Sequence, residues 1–329
     1  MLFCWHYVYV TFGRNFRINL DSYFKLTNVF DRVFKHDLFF VNLFFTPQNY
    51  LSLSIKKLPN NAEILLIFVR YSFIIDPNYR RRTLFVGEII AVLSGKGGTG
   101  KTSITAGLAT ALAKEGKRCL CIDCDVGLRN LDIPLGLADC VSLSFLEICQ
   151  GECALDQLTA HPQFETLFFL TAPLNRSAED IDPDAFAQMV MEARAQFDYV
   201  FLDAPAGVDA GFRLAAAKAD RVLLVTLSDP GAVRDAGRTG QVLEIMGKEN
   251  VRLIVNRVNP RLVSNMDLTV DDVMDNAGLP LMGIVPEDPD VTLAAAFGKP
   301  LLTYTKRGAA AACRRIAKRI QGMPVKIEL

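Results

Sequence analysis

Residues Ser94 to Ser103 read SGKGGTGKTS. Gly95, Gly100, Lys101 and Thr102 fit the phosphate-loop pattern G-x-x-x-x-G-K-[ST]. Gly97, Gly98 and Gly100 let backbone N–H groups approach phosphate oxygens with no Cβ in the way, and Thr102 opens a helix whose N-terminus favours an anion. Lys101 then neutralises the β- and γ-phosphates, and the Thr102 hydroxyl binds Mg²⁺. The plain alternative is a glycine-rich turn with incidental lysines. A strand before the loop and a helix after it weigh against that. The motif leaves one lysine, Lys96, without an assigned job.

Carboxylates follow two later apolar runs. In Asp123-Cys124-Asp125-Val126-Gly127 two acids spaced i, i+2 can both face a nucleotide once the backbone leaves extended geometry. One of them can hold a metal's water shell while the other orients an attacking water; solvated loop acids would be the reading if the phosphate loop were absent. Asp203 ends the run YVFLD as a second metal anchor, and the Pro205–Gly207 turn after it can sense a γ-phosphate. Asn256 follows RLIV, and Pro286-Glu287-Asp288 follows LMGIV. Late strand ends lie where a purine would sit, so Asn256 can pair with the base and the backbone near Pro286 and Glu287 can touch its edge. The alternatives there are a turn asparagine and a helix N-cap at Asp288.

These groups need elements to hold them. Apolar runs at Ile89–Leu93, Arg118–Ile122, Thr166–Leu170, Tyr199–Leu202, Arg221–Thr226, Arg252–Val255 and Leu281–Val285 lack strict alternation, as strands covered on both faces do. Amphipathic stretches Thr102–Lys114, Pro183–Gln196, Gly231–Met246 and Thr269–Asn276 lie between them. Strand–helix repetition predicts an α/β fold, a doubly wound and mainly parallel sheet flanked by helices, with ligands beyond the carboxyl ends of the strands. The chain has 329 residues, 50% hydrophobic, with balanced formal charge, enough to bury a full core. Cys119 and Cys121 lie two apart in a strand-like run, where free cysteine packs as a small hydrophobe. No second C-x-x-C or His pair completes a ligand set, so a reduced, cytoplasmic protein is expected.

Residues 1–86 follow a different regime. They carry 13 of the 22 Phe, 6 of the 8 Tyr and the single Trp, with 11 Lys+Arg against 5 Asp+Glu, leaving residues 87–329 with 25 against 31. The longest apolar run there, Ile64–Val69, is far short of the ~20 residues of a spanning helix. No short basic start, apolar core and small-residue cleavage site follow Met1, so no secretory signal is expected there. Residues 1–86 are expected to lie outside the globular fold, either as an extra segment or as a leader ahead of a start at Val86, with Arg81-Arg82 encoded by a ribosome-binding site. The expected organisation is this extension, a P-loop domain over 87–322 and a short tail over 323–329.

SGKGGTGKTS is similar to the deviant Walker A loop, K-G-G-x-G-K-[ST]-[ST], of the bacterial MinD/ParA ATPases. IDCDVGLRNLDIPLGL (Ile122–Leu137), FDYVFLDAPAGVDAGF (Phe197–Phe212), SDPGAVRDAGR (Ser228–Arg238), LIVNRVNPRLV (Leu253–Val263) and GIVPEDPDV (Gly283–Val291) extend the resemblance from about Gly87 to about Gly322, on the MinD side of the family. It implies an ATPase of septum placement that binds ATP and Mg²⁺ and forms a nucleotide-sandwich homodimer. Lys96 becomes the signature lysine that reaches the partner's phosphates. Gly95 to Ser103, Thr99 included, cradle the nucleotide; Thr102, Asp123 and Asp203 serve the metal; Asp125 helps activate water; Asn256, with Pro286 and Glu287, meets adenine. Arg129, Asn130, Arg234 and Asp235 fall on the surface used by MinC-like and MinE-like partners. Two positions depart mildly: Thr99 stands where valine is usual, and Cys124 where an apolar residue is usual. The tail RRIAKRIQGMPVKIEL departs more, since Pro324 follows the last helix where MinD proteins carry a membrane-targeting amphipathic helix. A cytoplasmic protein with weak peripheral attachment at the inner face of the membrane is expected. A ParA-like partitioning ATPase is the alternative; the negative balance of 87–329 speaks against a DNA footprint, and no specific nucleic acid is expected. A metal-cluster carrier would need cluster cysteines, and Cys140, Cys149 and Cys153 read as helix packing.

Overall fold

A computed structural model describes residues 39–45, 51–57, 86–259 and 270–328. The chain divides into two units, Met1–Tyr79 and Arg80–Leu329. In the first, β1 (Phe39–Phe45) and β2 (Leu51–Lys57) pair antiparallel. The runs at Ile64–Val69 and Arg81-Arg82 lie outside the described residues.

The second unit holds the site. Its strands are β3 (Glu88–Leu93), β4 (Cys119–Asp123), β5 (Ala160–His161), β6 (Phe164–Leu170), β7 (Tyr199–Asp203), β8 (Arg221–Thr226), β9 (Val251–Val258) and β10 (Leu281–Pro286). They form one sheet in the order β10-β9-β8-β3-β7-β4-β6-β5, parallel throughout except for the antiparallel β5–β6 edge. All seven predicted strands are present: β8 has the predicted bounds, β4 is shifted by one residue, β3, β7 and β10 are longer by one residue, β6 by two and β9 by four; β5, two residues long, has no periodicity to read. The helices are α1 (Lys101–Lys114), α2 (Asp132–Leu135), α3 (Phe145–Cys149), α4 (Pro183–Gln196), α5 (Ala210–Ala217), α6 (Pro230–Ile245), α7 (Val270–Ala277), α8 (Pro289–Ala296), α9 (Leu301–Tyr304) and α10 (Gly308–Ile320).

Side chains of each central strand divide between two cores. Ile89, Ala91 and Leu93 of β3 pack with α3 to α7 on one face, while Ile90 and Val92 pack with α1, α8, α9 and α10 on the other. This two-sided burial explains why the runs are continuously apolar instead of alternating. It also accounts for the cysteines: Cys119 and Cys121 fill the second core and Cys124 the first, all fully buried, and burial pushes the Cys121 thiol well above the ordinary thiol range, so it is held as the neutral thiol. Cys149 and Cys153 pack against the first core and Cys140 against the second.

α1 is buried around most of its circumference because α10 covers it. Small residues allow the approach: a Cβ on Gly107 would meet the Cys313 sulfur at 2.7 Å. α10 runs six residues further back than the predicted Arg314–Ile320, with Ile316 and Ile320 buried as their i, i+4 spacing requires. Beyond it, Arg319 Nε donates to the Val325 carbonyl (2.7 Å) and an Arg315 Nη donates to that of Glu328 (2.9 Å), so the described tail is tied down without forming a helix. No described helix is long and apolar enough to cross a membrane.

The strand order places the chemistry. The chain leaves β3 for β4, returns to insert β7 between them, then crosses to β8 on the other side. The carboxyl end of β3 is therefore the point where the winding reverses, and ligands of such sheets bind at that point.

Candidate functional site

The loop from Ser94 to Gly100 fills the space beyond β3. Gly100 takes φ 87 and caps α1, a left-handed conformation suited to glycine. It is also walled in: a Cβ there would overlap the Asn256 side-chain amide, and one on Gly95 would overlap Thr239 of α6. Gly97 and Gly98 are exposed, leaving their backbone open to a ligand. The two lysines of the loop have opposite environments. Lys101 is 8% exposed, and burial lowers its pKa against the opposing charges of Asp203 and Asp125. Lys96 is exposed, and its ammonium has no acceptor among the described residues.

β4 and β7 are neighbours in register, pairing Asp123 with Asp203. Asp203 is fully buried, and its pKa is pushed up to about 7 by burial first, then by the Asp123 charge. Hydroxyls of Thr102 and Thr105 oppose that shift; Thr105 Oγ1 donates to Asp203 Oδ1 at 2.9 Å. Thr105 is a site residue that the motif does not flag, although it lies one helical turn after Lys101, and the i, i+4 spacing carries the signal. Asp123, expected beside the metal, is engaged by backbone N–H groups. Its Oδ1 accepts the Asp125 N–H (2.9 Å) and its Oδ2 accepts those of Asn130 (2.9 Å) and Leu131 (3.0 Å). Both oxygens thus brace the loop that carries Asp125. Asp125 itself is half-buried, with its pKa raised by desolvation against the pull of Lys101 and a hydrogen bond from Asn130. The residue expected on the partner surface therefore touches the candidate water-activating carboxylate. Arg129, in the left-handed region at φ 44, pairs through Nε with Asp132 at 2.8 Å. Arg234 is exposed on α6, and Asp235 is half-buried behind Gly95.

A buried carboxylate that ionises only near neutrality, with a threonine hydroxyl beside it, is the hard-oxygen chemistry that suits Mg²⁺. The donor set fits the cation. A pH signature follows for the protein without ligand. Asp203 has its folded-state pKa above its unfolded value near 4, so its contribution to stability is full below about pH 4 and is lost as pH rises to about 7. Asp203→Asn removes the ionisation. It is expected to melt above the wild type at pH 8, by on the order of 1–3 kcal/mol, with the two converging as pH falls towards 4. Addition of Mg-ATP at pH 8 is expected to reverse the order. Differential scanning fluorimetry across this range checks both, and a wild type as stable as the variant at pH 8 without ligand contradicts the assignment.

Asn256, Pro286 and Glu287 do converge. With Gly100, Ser103 and Val291 they line a cavity of about 390 Å³ that opens from the start of α1. Asn256 is buried and its Nδ2 donates to the Thr99 carbonyl (2.8 Å), so this amide fixes the phosphate loop as well as facing the cavity. Glu287 is exposed at the mouth, with its carboxylate 3.3 Å from Asn259 Nδ2. Asp288 is the helix cap: Oδ1 accepts the Asp290 N–H of α8 (2.9 Å) and Oδ2 the Ala309 N–H of α10 (2.8 Å).

Residues 90–301 match the family model described as the CobQ/CobB/MinD/ParA nucleotide binding domain. The septum site-determining protein MinD of Synechocystis sp. is 38% identical over 243 residues, covering 73% of this chain and 91% of its own length. The protein of the same name from Bacillus subtilis is 38% identical over 250 residues, covering 74% and 92%. Among solved structures, MinD in a MinC:MinD complex from Aquifex aeolicus superposes with a TM-score of 0.69 at 34% identity, over 74% of this chain and 99% of that one. MinD of Pyrococcus horikoshii, complexed with Mg-ADP, gives 0.64 at 28% identity, over 71% and 96%.

Proposed function

We propose, from the premise that this chain belongs to the MinD/ParA family of P-loop ATPases, that its MinD-type division-site ATPase works as a nucleotide-dependent pair. ATP lies along the loop Gly95–Ser103, with Lys101 on the β- and γ-phosphates and the adenine in the cavity of Asn256, Pro286 and Glu287. Thr102 and Asp203 are the residues that would hold Mg²⁺, with Asp123 keeping the adjoining loop in place. Bound there, the cation neutralises charge on the phosphate oxygens. Asp125 orients the attacking water and accepts its proton; Asn130 holds that carboxylate in position.

The observation that carries the paired state is Lys96. Its exposed ammonium lies on the loop's rim with no acidic partner among the described residues. Backbone bonds from Gly127 to Pro173 (3.1 Å) and from Gly207 to Ser94 (3.2 Å) gather neighbouring loops round that rim. Leu128, Leu174 and Val208, which follow directly in sequence, are exposed apolar residues that a second copy would cover. ATP-bound pairs would present Arg129, Asn130 and Arg234 to a MinC-like inhibitor and a MinE-like activator. The activator's route to hydrolysis runs through Asn130 to Asp125. The protein is placed in the cytoplasm, with peripheral contact at the inner face of the cell membrane. That contact would gain strength from pairing, because two linked weak contacts bind more tightly than either alone.

The test is light scattering of the full chain with Mg-ATP and with Mg-ADP. Doubling of the mass in ATP alone is expected; one mass in both nucleotides rejects the paired switch.

A further inference from the structure

Arg257, at the mouth of the cavity, is a left-handed residue that is not glycine. Its φ is 52, a conformation that costs a residue with a Cβ free energy and persists only where the surroundings impose it. The strand register shows what imposes it. β10 and β9 pair Ile284 with Val255 and then Pro286 with Val258, so β9 uses one more residue than β10 over that step. The surplus falls at Asn256-Arg257 and makes a bulge, a device that re-aims side chains beside a site. Asn256 is turned in, onto the Thr99 carbonyl. Arg257 is exposed and still lines the cavity.

The rest of the lining suits a flat ring. Val285, Pro286, Val291 and Leu301 supply apolar walls, and the volume lies within the ordinary range for a small-ligand site. Glu287, the nearest acid in sequence at the mouth, is engaged by Asn259. The guanidinium of Arg257 has no ionic or hydrogen-bonded partner among the described residues. A planar, weakly hydrated cation at the open side of an apolar slot is the group that stacks on an aromatic face.

We infer that Arg257 clamps the heterocyclic base of the bound nucleotide, closing over its face and giving the site its preference for a nucleotide over bare polyphosphate. This rests on the nucleotide reading of the site. The bulge links the two ends of the ligand: one strained dipeptide supplies the amide that fixes the phosphate loop and the cation that covers the base.

The experiment measures binding of Mg-ATP and of Mg-tripolyphosphate, which has the phosphates without the base, to the full chain. Arg257→Ala is expected to weaken ATP by about 3- to 30-fold, the span of a cation–π contact, and to leave tripolyphosphate within about twofold. Arg257→Lys is expected to recover part of the loss, since it keeps the charge without the plane. Arg257→Gly separates this role from a structural one. It relieves the left-handed backbone, so the unliganded melting temperature should equal or exceed that of the wild type while ATP weakens as in the alanine variant. ATP affinity within twofold of wild type in both variants overturns the proposal, as does an equal loss for ATP and tripolyphosphate. A wild type that binds tripolyphosphate as tightly as ATP removes the base subsite. A wild type that binds neither refutes the nucleotide site itself.

Discussion

Lys96→Ala leaves the protein monomeric in Mg-ATP, with nucleotide still bound and turnover lower by at least about 10²-fold, the cost of removing one preorganised charge from a phosphoryl-transfer site. The two lysines of the loop make the expectation specific. Lys101 is buried beside Asp203 and Asp125 and belongs to its own subunit's phosphates; its loss removes binding. Lys96 is exposed and without an acceptor among the described residues, so its loss should spare binding and remove what needs a second copy. Light scattering, nucleotide binding and phosphate release separate these outcomes. A Lys96→Ala protein that dimerises and hydrolyses normally breaks the model of a bridging lysine.

Asp125→Ala is expected to do the reverse, holding the ATP-bound dimer while turnover falls by about 10²–10⁴-fold, the range for losing a general base. Desolvation raises the pKa of this carboxylate towards neutrality, where a base serves best, and Asn130 orients it. Its removal also takes a negative charge away from the phosphates, so ATP should bind at least as tightly as before. Asp125→Asn keeps the shape and a partner for Asn130, and it should lose turnover to the same degree if charge is what matters. Normal phosphate release from either variant would transfer the catalytic part to another group.

Where residues act through neighbours in the chain, the sequence is sufficient. The phosphate loop is legible because its requirements are local: glycines where Cβ would intrude, a lysine at fixed spacing, a helix beginning at the next turn. The strand ends are legible because β3, β4 and β7 are buried on both faces and so stand out as continuous apolar runs. The short elements are not. α2, α3 and α9 have four or five residues each, too few for a helical period to be visible, and α5 and α8, eight residues each, span little more than two turns. The tail is a further case: Arg315 and Arg319 tie it down by donating to its backbone carbonyls, which no pattern of residue types displays.

By itself the sequence determined the α/β class, the phosphate loop, the order of its acids and the membership these imply. The tertiary structure decided the surroundings and partners of each acid. Inserting β7 between β3 and β4 sets Asp203 against Asp123, 80 positions away, and the resulting burial drives Asp203 towards neutrality. Three backbone N–H groups then engage the Asp123 carboxylate and fix the loop that carries Asp125. A bulge in β9 brings Asn256 to the Thr99 carbonyl across 157 positions and turns Arg257 to the cavity mouth. The division has one physical reason. Residue type and spacing encode backbone conformation and apolar periodicity, which are local; the charge state and partner of a buried polar group depend on which distant strand is laid beside it.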